Sequence, residues 1–193
     1  MIPGTSILAR YRARADAFEA KVASVRADQW DNPSPCAKWT ARGVVDHVID
    51  MHGVMLGLAM PRTDDPLTDF REARRQVREA LTSERARSEV PTPGGPMTLE
   101  DHIDRVVSDD LVLHGWDLAR ATGQDETIPV ADVERLWASA TAVPAELMRR
   151  YRTPGAFGPG IEVYGPEVVV PEDAPPQDRL LGYVGRDPVS KSV

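Results

Sequence analysis

The chain has 193 residues, with 23 basic against 30 acidic side chains and a formal net charge of -7. That length suits one packed domain with an appended segment better than two full domains. The acidic balance argues against a nucleic-acid binder, because neutralising phosphates needs a basic surface.

Taken in chain order, Ile7, Tyr11, Ala15, Phe18, Val22 and Val25 recur at three- and four-residue steps, which predicts an amphipathic helix over Ile7 to Val25. The segment WDNPSPC that follows reads as a loop, since Pro33 and Pro35 cannot extend a helix. Thr40 can then cap a second helix whose inner face holds Val44, His47, Val48, Met51 and Met55. Asp65 and Pro66 signal a third helix with Leu67, Phe70, Ala73, Val77 and Leu81 inward. After the loop PTPGGP, Thr98 and Asp101 have the spacing of a capping box. They open a fourth helix through Ile103, Val107, Leu111 and Leu118 to Gly123. A fifth helix around Val133, Leu136, Trp137, Ala140 and Val143 is interrupted or kinked at Pro144.

From Thr153 the chain is dense in Pro and Gly, with short extended runs at Ile161 to Tyr164 and Val168 to Val170 that can pair as a ribbon, and a last helical turn at Gln177 to Val184. Residues 1–152 are therefore expected to form a helical bundle, and 153–193 a C-terminal extension packed on it. The start lacks the apolar core of a signal peptide, no run approaches a membrane span, and the single Cys36 excludes an intramolecular disulfide. A soluble, cytoplasmic protein is expected.

Bundles build their sites from side chains projecting between facing helices. On the fourth helix Ile103, Val107, Asp110, His114 and Leu118 follow steps of four, three, four and four, so a carboxylate and an imidazole lie within an apolar stripe. Burying an uncompensated Asp costs on the order of several kcal/mol, so a partner is expected. A divalent ion is one answer: two histidines, His47 being the second, and one carboxylate suit Zn, Fe, Ni or Mn and leave a position open for water or substrate. The other answer is a core pair in which Asp110 and His114 bond each other or Trp116, with His47 an unrelated imidazole. On the residues alone the two readings stand level.

Asp117, three after His114, can orient a ligand from behind or hydrogen-bond across the bundle. His52 lies five positions after His47, about 140° around the helix, and is expected to be exposed; His102 is expected at the surface. Cys36 reads as a structural thiol, since no basic group is placed to lower its pKa. Arg71, Arg74, Arg75 and Arg78 can greet an anion but read first as a solvated face. There is no phosphate loop, G-x-S-x-G elbow or CxxC pair.

Three runs carry a family resemblance: WDNPSPCAKWTARGVVDHV from Trp30, HGWDLARATGQD from His114, and APPQDRLLGYVGRDP from Ala174. They resemble the DinB-like superfamily, within the mycothiol-dependent maleylpyruvate isomerase N-terminal group. The resemblance implies an all-α fold: a DinB-like four-helix bundle with an extra C-terminal helix and a Pro/Gly-rich tail containing short extended segments. It also implies a divalent metal, zinc first and nickel, iron or manganese as alternatives, held by His47, Asp110 and His114. The isomerase has Glu as its acidic ligand; Asp110 is shorter by one C–C bond, about 1.5 Å. The chain also has no room for the isomerase's full second domain.

The leading expectation is a thiol-dependent transferase or isomerase acting on a small electrophile, with mycothiol as co-substrate. A metal-dependent hydrolase, lyase or cyclase without a thiol, and a non-catalytic metal-binding or interaction module, are the alternatives. Neither nucleic acid nor membrane is expected as a partner, and a homodimer is open. The sequence identifies no proton-transfer residue.

Overall fold

The computed structural model describes residues 6–36, 38–157 and 163–189. The chain divides into two compact units, Met1–Glu126 and Thr127–Val193. The fold is all-α, as expected, with one two-stranded ribbon among the described residues.

In the first unit, helix boundaries follow the capping residues. Ser6 accepts the Ala9 N–H at the head of α1 (Ile7–Ala23). Thr40 accepts the Gly43 N–H at the head of α2 (Ala41–Leu56), which ends where Gly57 turns left-handed at φ 67°. Asp65 accepts from Leu67 and Thr68 before α3 (Pro66–Thr82), with Pro66 at the first helical position. The PTPGGP loop is flanked by a short antiparallel ribbon, β1 (Glu89–Val90) with β2 (Met97–Thr98), which the periodicity did not anticipate.

The expected fourth helix is two: α4 (Leu99–Arg105) and α5 (Val107–Thr122), broken at Val106. The break has a matching pattern of charge. Arg10 and Arg14, four apart on α1, pair with Asp104 at 2.7 Å and Asp109 at 3.2 Å, which are five apart. On an unbroken helix, positions five apart point about 140° away from each other; the interruption lets both carboxylates reach α1.

Helices α1 and α2 each pack against α3 and α5, giving the expected bundle. Its centre holds Phe18 against Phe70 at 4.9 Å, together with Val44, Val48, Ile49, Val77 and Leu118. His52 is also there, fully buried rather than exposed. It belongs to the core because its Nδ1 meets the Val48 carbonyl at 2.7 Å and its Nε2 the Tyr11 hydroxyl at 3.1 Å, so both ring nitrogens are satisfied. His102 is half-buried.

In the second unit, Pro144 separates α6 (Val130–Thr141) from α7 (Ala145–Tyr151), as its missing N–H requires. The last helix, α8 (Pro176–Tyr183), packs on α6 with Trp137 against Tyr183 at 5.5 Å. Val168 to Val170 form no strand; Val168 instead donates its N–H to the Gly182 carbonyl. Residues 161 and 162 of the other expected run lie outside the described residues. Gly185, at φ 84°, lies so close to Gly165 that a Cβ would come within 2.6 Å of its backbone. Among the described residues no helix is long and apolar enough to cross a membrane.

Candidate metal centre

Helix α5 delivers Asp110, His114 and Asp117 at steps of four and three, and α2 delivers His47 from its second turn. The loop before α2 is pinned to the end of α5. Gln29 donates to the Thr122 carbonyl at 2.8 Å and Asn32 to that of Ala121 at 2.9 Å. Within it, Trp39 donates its N–H to the Cys36 carbonyl, while Ser34 donates to that of Trp39. This fixes Trp39 beside both histidines: its ring stacks on His47 at 4.4 Å and tilts against His114 at 5.6 Å.

The two imidazoles meet edge to face, with centroids 4.8 Å apart. His47 Nε2 lies 3.8 Å from Asp110 Oδ2. One ligand atom from each of His47, Asp110 and His114 lies within 4.8 Å of the others. Ligand atoms about 2.0–2.2 Å from a tetrahedral ion stand roughly 3.4 Å apart, so small side-chain shifts close the set.

Behind His114, its Nδ1 lies 2.8 Å from Oδ2 of the fully buried Asp117. An ionised carboxylate only accepts, so Nδ1 carries the proton and Nε2 keeps its lone pair. That is the tautomer a metal ligand needs. His114 thus bonds Asp117, not Asp110 or Trp116 as the core-pair reading requires. The Trp116 indole N–H is buried with no hydrogen-bond partner among the described residues, under the Arg120 guanidinium at 4.4 Å. Two nitrogens and one carboxylate oxygen, with His47 and Asp110 each about a quarter exposed, fit a divalent ion that keeps a coordination position open.

Sequence reasoning missed two residues here. Cys36, read as an isolated thiol, donates its S–H to the same Asp117 Oδ2 at 3.3 Å, and Cys36, His114 and Asp117 also lie within 4.8 Å of one another. Trp39 was passed over as the residue before the Thr40 cap. Its place in that position was the available signal, since a residue flanking a cap is held against the first turns of its helix.

The model of the mycothiol maleylpyruvate isomerase N-terminal domain matches residues 11–68, which include Cys36, Trp39 and His47. Two proteins of Mycobacterium tuberculosis are similar over nearly the whole chain: "Uncharacterized protein MT0763" of strain CDC 1551 / Oshkosh and "Uncharacterized protein Rv0738" of strain ATCC 25618 / H37Rv. Each is 31% identical over 191 residues, covering 93% of this chain and 97% of the relative. No solved structure matches significantly.

Proposed function

The chain belongs to the mycothiol maleylpyruvate isomerase N-terminal domain family of the DinB-like superfamily, and we propose on that footing that it is a metal-dependent enzyme using a low-molecular-weight thiol. Its reaction is transfer of that thiol to a small electrophile, or a thiol-assisted isomerisation of one, with mycothiol as the first co-substrate to test.

The observation carrying this reading is the convergence of His47, Asp110 and His114, with the His114 Nδ1 proton held by Asp117. A divalent ion there, zinc first, would supply the Lewis acidity that keeps a coordinated thiol as thiolate at neutral pH. The chain's own residues do the positioning. Asp117 sets the tautomer of His114, Trp39 stacks on His47 and fixes its ring plane, and Asp110 contributes the anionic oxygen. Because His47 and Asp110 are the partly exposed members, thiol and electrophile approach from their side.

Metal analysis of purified protein, followed by mycothiol titration and assay with a model electrophile, tests the reading. The expected result is stoichiometric metal, lost in both His47→Ala and His114→Ala, with thiol addition dependent on it. A metal-loaded protein that neither binds mycothiol nor accelerates its addition ends the proposal. Turnover without any thiol would move the assignment to metal-assisted hydrolysis, elimination or cyclisation.

A further inference from the structure

An open groove of about 260 Å³ is lined by Tyr11 and Arg12 of α1 and by Arg71, Arg74, Arg75 and Arg78 of α3. Five of its six lining residues are arginines and none is a carboxylate, in a chain whose net charge is -7. The steps of three, one and three along α3 put its four arginines on one face.

The solvated-face reading accounts for three of the five. Arg71 donates to Glu19 at 2.8 Å, Arg74 to Asp16 at 2.6 Å and also to Glu19, and Arg75 to Glu72 at 2.6 Å and Glu79 at 2.5 Å. Those carboxylates stand outside the lining. They hold the guanidinium planes in place, and a guanidinium has five N–H donors, more than these contacts use. The guanidinium groups of Arg12 and Arg78, exposed and contributed by α1 and α3 respectively, make no hydrogen bond or ion pair with the described residues. Tyr11 adds no donor to the groove. Its hydroxyl faces His52 Nε2, which is the ring's acceptor because Nδ1 donates to the Val48 carbonyl.

We propose that this groove binds a small molecule carrying two phosphate groups. Arg74 and Arg75 each hold two carboxylates and Arg71 shares Glu19, so the fixed arginines already have their counter-charges. Two further cations, one from each helix, with spare donors beside them, match a ligand with two doubly charged groups of three oxygens each. None of His47, Asp110 or His114 lines the groove, so its ligand is separate from that of the candidate metal centre.

Calorimetric titration of the full, metal-loaded chain with fructose 1,6-bisphosphate at fixed ionic strength tests this, with fructose 6-phosphate as the one-phosphate comparison. The expected result is binding of the bisphosphate that weakens with added salt and exceeds the monophosphate by roughly tenfold, as one extra charge-assisted contact implies. The double variant R12A/R78A, which removes two such contacts, should lose roughly a hundredfold in affinity, with its ligand-free thermal midpoint unchanged, while Arg149→Ala, elsewhere on the surface, binds normally. No bisphosphate binding, equal affinity for the two sugars, equal binding by R12A/R78A, or an equal loss in Arg149→Ala would each overturn the proposal.

Discussion

His114 and Asp117 stand one turn apart on α5 with Nδ1 2.8 Å from Oδ2, and this contact decides which nitrogen His114 offers to the candidate site. Asp117 itself is fully buried, and its Oδ2 accepts from both that imidazole and Cys36. Asp117→Asn keeps the shape and removes the charge. Metal affinity is expected to fall about 10- to 100-fold, the usual cost of losing a partner behind a ligating histidine. Competition with a chromophoric chelator measures it; unchanged affinity would reduce Asp117 to a packing role.

Cys36 shares the acceptor oxygen with His114, so its thiol competes for the charge that makes the imidazole basic. Cys36→Ser keeps an O–H donor at that oxygen, whereas Cys36→Ala removes it. The serine variant should reproduce the wild-type absorption of a cobalt-substituted site, and the alanine variant should shift it. Identical spectra for the two would show that the thiol does not act through Asp117.

The bundle was legible because caps and apolar steps state it locally: Thr40, Pro66 and Gly123 begin or end their helices where the pattern changes. Three features were not. His52 reads as a polar residue on a helix, and the second partner that completes its burial, the Tyr11 hydroxyl, is 41 positions away. The break at Val106 accompanies the pairing of Asp104 and Asp109 with Arg10 and Arg14, a long-range match of four-residue and five-residue spacings. Cys36 looked isolated because its partner Asp117 is 81 positions away. The four-residue step from Asp110 to His114 was visible, but the tautomer that leaves Nε2 of His114 with its lone pair depends on a contact to Asp117 that sequence spacing only permits.

Burial lowers the His52 pKa from 6.5 to about 4, with the Arg74 charge acting the same way and the Val48 carbonyl opposing. Between those values the unfolded chain binds more protons than the folded one, so stability present above pH 6.5 is lost as pH falls toward 4. The shift sets a ceiling of about 3 kcal/mol for this one group. Urea denaturation at about pH 7 and about pH 4.5 should give a steeper loss in wild type than in His52→Leu. Equal losses would mean that other groups carry the acid dependence.

Arg14 and Asp109 are both nearly buried at a separation of 3.2 Å. Removing one partner of such a pair is far worse than removing both. Arg14→Met is expected to cost about 3–5 kcal/mol, whereas Arg14→Met with Asp109→Leu should be close to neutral. Chemical denaturation of the two variants decides it. A single variant no less stable than the double would show that Asp109 is stabilised mainly by its other neighbours.

The family resemblance implies Glu in the isomerase at the position of Asp110, and the distances here suit the shorter arm. Its Oδ2 lies 3.8 Å from His47 Nε2, close to the roughly 3.4 Å that separates two ligand atoms on a tetrahedral ion. Lengthening the side chain by about 1.5 Å pushes the carboxylate past that position. Asp110→Glu should therefore weaken metal binding, although it introduces the residue the resemblance implies, and Asp110→Asn should weaken it further by removing the anion. Zinc affinities of the three proteins, measured by the same chelator competition, rank the alternatives. If Asp110→Glu binds more tightly than wild type, Asp110 falls short of the ion and the ligand set rests on the two histidines.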